Sequence, residues 1–212
     1  GDRMAKGTAY IVGAGDFTTR GLAPGRGDIL IAADGGFDSL HRLGIRPQIV
    51  LGDMDSITRL PKGVARLRFP PKKDLTDMAL ALDFAKARGF GQFRLYGATG
   101  GRLDHSLANL QTLAGLAREG FCGVIVAPGI TIYALANGTL RFPPLKPGTV
   151  VSVFCQGGEA LGVTLKGLKY PLTEARLDPF TPLGVSNEAT GQPFYVSVGQ
   201  GVLLVTIGAS PV

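Results

Sequence analysis

Residues 93–117 read FRLYGATGGRLDHSLANLQTLAGLA. The apolar run Phe93-Arg94-Leu95-Tyr96 has the length of a short strand. A turn containing Gly97, Gly100 and Gly101 follows it. Beyond the turn, Leu103, Leu107, Leu110, Ala114 and Ala117 recur at intervals of three and four, the period of a helix with one apolar face. Strand, glycine turn and helix in direct succession are one half of a parallel β-α-β unit.

The same rhythm extends upstream. Apolar runs at residues 9–12, 29–33, 48–51, 66–69 and 124–127 read as further strands, and Leu75, Ala79 and Leu82 as a second helical face. After Pro128 the pattern changes to short apolar runs at residues 131–134, 150–155, 162–165, 193–198 and 202–207, divided by Gly, Pro and Asn turns. The expected architecture is an α/β N-terminal domain with a mainly parallel, Rossmann-like sheet over residues 1–128, then an all-β sandwich over residues 129–212.

Composition narrows the function classes. The 212 residues carry a net charge of +6, with 45% hydrophobic and 18% charged residues, as a globular protein with a buried core does. No apolar run approaches the roughly 20 residues of a membrane span, and Gly1-Asp2-Arg3-Met4 lacks the apolar stretch of a secretory signal. A cytoplasmic protein is expected, with Cys122 and Cys155 as buried free thiols rather than a disulfide. Lys and Arg are scattered apart from Arg66-Leu67-Arg68 and Lys72-Lys73. There is no basic stripe interleaved with aromatics, so no nucleic-acid partner is expected and a small phosphorylated ligand is.

Three acidic motifs sit where apolar runs give way to turns or helix starts. In Gly52-Asp53-Met54-Asp55-Ser56, alternate residues of an extended segment point the same way. Asp53 and Asp55 either share one hard cation or form an Asp-rich turn closed by Ser56. In Lys73-Asp74-Leu75-Thr76-Asp77, Asp74 and Asp77 stand three apart on one face of a first helical turn, with Asp74 a possible cap. Capping does not explain Lys73, whereas a phosphate held against it and the helix N–H groups would. In Gly100-Gly101-Arg102-Leu103-Asp104-His105, paired glycines let backbone approach phosphate oxygens and Arg102 can grip them with two N–H groups. Asp104 is again either a cap or a site acid. Asp34-Gly35-Gly36 adds a further acid at the end of the 29–33 strand.

Other chemistries are excluded. Gly13-Ala14-Gly15 lacks the third glycine of the dinucleotide fingerprint, and no Gly-Lys-Ser/Thr element makes a P-loop. Neither Cys nor His spacing suits structural zinc, and no Gly-x-Ser-x-Gly elbow is present.

Taken in order, these motifs resemble the thiamine pyrophosphokinase family. The likeness continues through Leu165-Lys166-Gly167-Leu168-Lys169-Tyr170-Pro171-Leu172 and Gly184-Val185-Ser186-Asn187-Glu188. Met54 departs from the family's usual Phe but fills similar apolar space. The resemblance implies Mg2+-dependent transfer of the pyrophosphoryl group of ATP to the thiamine hydroxyl, giving thiamine diphosphate and AMP. It also implies a homodimer with sites at the subunit interface. By the same resemblance, Asp34, Asp53, Asp55, Asp77 and Asp104 are the catalytic acids, with Asp53, Asp55 and Asp77 as magnesium ligands. Lys73, Asp74, Thr76, Gly100, Arg102 and His105 would bind the nucleotide, and Leu168, Ser186 and Asn187 the thiamine. Transfer to another alcohol and non-catalytic sensing of thiamine or nucleotide are the alternatives.

Overall fold

The computed structural model describes residues 7–52, 60–67 and 75–208. Its described residues divide into two compact units, one formed by Gly1–Thr112 with Ile125–Pro128 and the other by Leu113–Val124 with Gly129–Val212.

The first unit is built on parallel strands. In chain order it contains β1 (Thr8–Val12), β2 (Ile29–Ala33), α1 (Gly36–Arg42), β3 (Ile49–Leu51), β4 (Ala65–Leu67), α2 (Asp77–Ala87) and β5 (Gln92–Tyr96), followed by the start of α3 (Leu103–Arg118) and the end of β6 (Cys122–Ala127). The strands lie in the order β6-β5-β1-β2-β3-β4. β1 pairs in parallel with both β2 and β5, and β3 pairs in parallel with β2 and β4. Four of the five residues in each of β1 and β2, and all of β3, are buried. That is why these strands read as unbroken apolar runs rather than alternating ones. Leu40 of α1 and Ala81, Leu82 and Ala85 of α2 are buried as well.

The second unit is a sandwich. Four strands of one sheet, in the order β12-β9-β14-β7, comprise β7 (Ile130–Ala136), β9 (Val150–Cys155), β12 (Gly184–Glu188) and β14 (Val202–Gly208). The other sheet, in the order β11-β10-β13-β8, comprises β8 (Thr139–Phe142), β10 (Ala160–Lys166), β11 (Leu172–Leu177) and β13 (Phe194–Ser197). Neighbouring strands in both of these sheets pair antiparallel. Val151, Val153, Leu203 and Val205 from the first sheet meet Val163, Leu165, Phe194 and Val196 from the second in a single core, as face-to-face sheets require.

Two expectations are corrected. The cysteines are free, but Cys122 is exposed, because β6 buries just its last three residues, and Cys155, at the end of β9, is only half-buried. The helix expected to hold Asp74 and Asp77 in one turn begins at Asp77, with Thr76 as its N-cap. Among the described residues no helix is long and apolar enough to cross a membrane.

Candidate active site

The loops at the carboxyl ends of β1, β2 and β5, with the N-terminus of α2, enclose a cleft of about 550 Å³ within the first unit. This is where an open parallel sheet receives ligands. Two of the loops are stitched together by backbone. Gly13 N–H donates to Tyr96 O at 2.8 Å, Gly15 N–H to Gly97 O at 2.7 Å and Asp16 N–H to Thr99 O at 2.8 Å. Such contact requires glycine. A Cβ on Gly97, whose φ is +58°, would stand 2.8 Å from the Gly13 carbonyl carbon and nearer still to its oxygen.

The residue after β2 and the first residue of α2, both acids, lie beside Gly52. Asp34 adopts a left-handed backbone with φ of +51°, a conformation Asp tolerates better than most residues. Its N–H donates to Leu51 O at 3.0 Å, tying the end of β2 to the end of β3. Gly52 follows, and a Cβ there would lie 3.1 Å from Asp77 Oδ2 and 3.4 Å from Asp34 N. Asp34 and Asp77 both line the cleft. The structure thus brings them to the residue that immediately precedes Asp53. Asp53, Asp55, Lys73 and Asp74 lie outside the described residues. Among the described residues no three His, Cys, Asp or Glu side chains converge as a metal site.

Thr76 extends to φ −73°, ψ 159°, and its Oγ1 accepts the Ala79 N–H at 3.1 Å. That capping bond fixes the first turn of α2 and so the base of the Asp77 side chain. Thr76 lines the cleft too.

Gly100, Gly101, Arg102 and His105 also line the cleft. Gly100 and Gly101 have φ of +79° and +68°. Asp104 accepts two hydrogen bonds from Arg102, from Nη2 at 2.7 Å and from Nε at 3.2 Å, and one from the His105 N–H at 3.0 Å. The Arg102 bonds, with smaller help from His105, hold the Asp104 carboxyl below the usual carboxylate range. The same bonds raise the Arg102 guanidinium above its ordinary value. Asp104 therefore steadies Arg102 at the rim.

Two features of the cleft are not apparent from sequence. Gly13-Ala14-Gly15 lines it without forming a dinucleotide fingerprint; its position directly after β1 is the signal that could have found it. Asn109 of α3 also lines it and is buried, donating from Nδ2 to Ala98 O at 2.7 Å.

In the second unit, Asn187 is buried and holds both backbone polar groups of Tyr170. Its Oδ1 accepts the Tyr170 N–H at 2.9 Å, and its Nδ2 donates to Tyr170 O at 2.7 Å. Leu168 lies in the sandwich core, with its backbone bridged to Ala189. Ser186 is exposed on edge strand β12 with φ of +62°, where β12 shifts register against β9, and its N–H donates to Ser152 Oγ at 3.0 Å.

Comparison with known proteins supplies the family. Residues 25–123 match the family model described as thiamin pyrophosphokinase, catalytic domain, and residues 137–203 match thiamin pyrophosphokinase, vitamin B1 binding domain. A thiamine pyrophosphokinase of Bacillus subtilis (strain 168) is 31% identical over 188 residues, 82% of this chain and 85% of that protein. This chain belongs to the thiamine pyrophosphokinase family. It is an enzyme of that kind, a transferase. Solved relatives share the whole fold. The crystal structure of the Bacillus subtilis thiamine pyrophosphokinase superposes with a TM-score of 0.85 at 25% identity, covering 97% of this chain and 100% of that one. The thiamin pyrophosphokinase of Geobacillus thermodenitrificans gives a TM-score of 0.81 at 28% identity, covering 96% and 98%.

Proposed function

We propose that this enzyme transfers the pyrophosphoryl group of ATP to the hydroxyl of thiamine, releasing AMP and thiamine diphosphate. The observation that carries the reading is the cleft at the carboxyl edge of the parallel sheet, where Asp34, Asp77, Arg102 and two left-handed glycines meet. ATP binds there, in the α/β unit, and the sandwich holds the thiamine at exposed Ser186, with buried Leu168 and Asn187 fixing the backbone around that site.

The donor set suits magnesium. Mg2+ takes one or two carboxylates and completes its shell with water and phosphate oxygens. Asp77 lies against Gly52, next to Asp53-Met54-Asp55, so Asp53, Asp55 and Asp77 are the residues that would hold it. When bound it neutralises the charge on the transferred group.

The protein's own part is positioning and charge stabilisation, which contribute most of the rate in phosphoryl-type transfer. The thiamine oxygen attacks the β-phosphorus as the bond to the oxygen bridging the α- and β-phosphates breaks, and that oxygen leaves with AMP. The hydroxyl proton passes to a carboxylate at the sheet edge, Asp34 or Asp77. Arg102 has five N–H donors, so two bonds to Asp104 leave donors for phosphate oxygens. Lys73, Asp74, Thr76, Gly100 and His105 complete the nucleotide site. In this reading the enzyme is a cytoplasmic homodimer.

Product analysis with ATP, magnesium and thiamine tests the reaction. Equal amounts of AMP and thiamine diphosphate are expected. Release of ADP, or no turnover, overturns the proposal.

A further inference from the structure

The turn between β5 and α3, residues 97–101, has three successive carbonyls held by hydrogen bonds. Gly97 O accepts from Gly15 N–H and Thr99 O from Asp16 N–H, both backbone bonds. Between them, Ala98 O accepts from the side chain of Asn109 at 2.7 Å. A trans peptide is planar, with its C=O and N–H on opposite sides. Fixing the carbonyls of residues 97, 98 and 99 therefore fixes the N–H groups of Ala98, Thr99 and Gly100, each antiparallel to the carbonyl of its own peptide. Within the described residues, those three N–H groups and that of Gly101 donate to no protein acceptor. Ala98, Gly100 and Gly101 line the cleft.

Successive N–H groups displayed by a glycine turn form a concavity suited to phosphate oxygens. Its shape depends on three anchors, and only one is a side chain. Asn109 is 7% exposed and stands on α3, six residues beyond Leu103. It joins the rigid helix to the middle peptide of the turn.

We propose that Asn109 is a positioning residue for nucleotide binding, holding the Ala98 carbonyl so that the 97–101 turn keeps the form that receives phosphate. This rests on reading the cleft as the ATP site. Asn109 acts through the turn, and its removal changes affinity for ATP rather than for thiamine.

The test compares wild-type enzyme with Asn109→Leu, Asn109→Asp and Asn109→Gln. The readouts are the Kd for ATP with magnesium, the KM for thiamine and the melting temperature. Leu and Asp match the size of Asn but cannot offer an N–H to Ala98 O. Each is expected to raise the ATP Kd about tenfold, the effect of losing one buried hydrogen bond. The thiamine KM should stay within about twofold, since only the nucleotide's contacts depend on the turn. Gln keeps the amide on a longer stem and should recover part of the affinity.

An unchanged ATP Kd in Asn109→Leu overturns the proposal. So does a matching loss for ATP and thiamine, or loss of the fold in all three variants, which would make Asn109 purely structural. Wild-type enzyme that yields no AMP overturns the proposed reaction. An active wild type beside an unaffected Asn109→Leu overturns only the role of Asn109.

Discussion

Replacing Gly97 by Ala tests whether the two loops under the cleft truly need their close approach. The new Cβ would sit 2.8 Å from the Gly13 carbonyl carbon, where carbon atoms settle at about 3.5 Å or more. The loops must part by about 0.7 Å. That stretches the Gly15 N–H to Gly97 O bond, now 2.7 Å, beyond useful length. A left-handed Ala costs about 1–2 kcal/mol, and a lost bond with its orphaned groups adds about 1–3 kcal/mol. The sum is about 2–5 kcal/mol, a large part of the roughly 5–15 kcal/mol that holds a typical domain together. With a urea slope of about 2–3 kcal/mol/M, the midpoint should fall by roughly 0.7–2.5 M. Gly44→Ala is the control. Gly44 has φ of +69°, but a Cβ there meets nothing within 4 Å, so only the backbone cost applies and the midpoint should fall by roughly 0.5 M. Equal shifts for the two variants would refute the close-approach argument.

Other perturbations probe the site and the sandwich. Asp77→Asn should slow thiamine diphosphate formation by about 100-fold or more with a small change in melting temperature; an unchanged rate would remove Asp77 from the metal set. Because the Asp104 carboxyl is held low by Arg102, its stabilising pairing is present above the unfolded pKa of about 3.9 and is lost as pH falls through the lower folded value. Arg102→Ala should raise the Asp104 pKa toward about 3.9 in an NMR titration, and no movement would show that the pair does not persist in solution. Asn187→Ala should cost about 2–4 kcal/mol in chemical denaturation, since both the N–H and the C=O of Tyr170 lose their partner; a loss under about 1 kcal/mol would mean that water replaces the amide.

The parallel core is legible in the sequence because β1, β2 and β3 are buried along nearly their whole length and so advertise themselves as continuous apolar runs. Strands β8, β11 and β12 are not. All three are edge strands with only half a surface to bury, so Thr139, Glu174 and Ser186 interrupt any apolar pattern. Asp34, Asp77, Gly100 and Arg102 can be placed at one site because acids and glycines at strand ends are conspicuous. Asn109 cannot, since a single polar residue within the α3 period looks like an ordinary solvent-facing position. The start of α2 is misplaced from sequence because Asp74 is a good cap, whereas the extended backbone and side-chain bond at Thr76 start the helix at Asp77.

The pairing of β1 with β5 joins Thr8 to Gln92, two segments far apart along the chain. β1 lies between β2 and β5, so one side of its backbone waits for a strand made much later. Closing so long a loop is slow relative to local helix formation. During synthesis the cleft therefore cannot exist until the ribosome has released β5, the glycine turn and Asn109. A nascent chain ending before them carries most of the acids but has no pocket in which to use them.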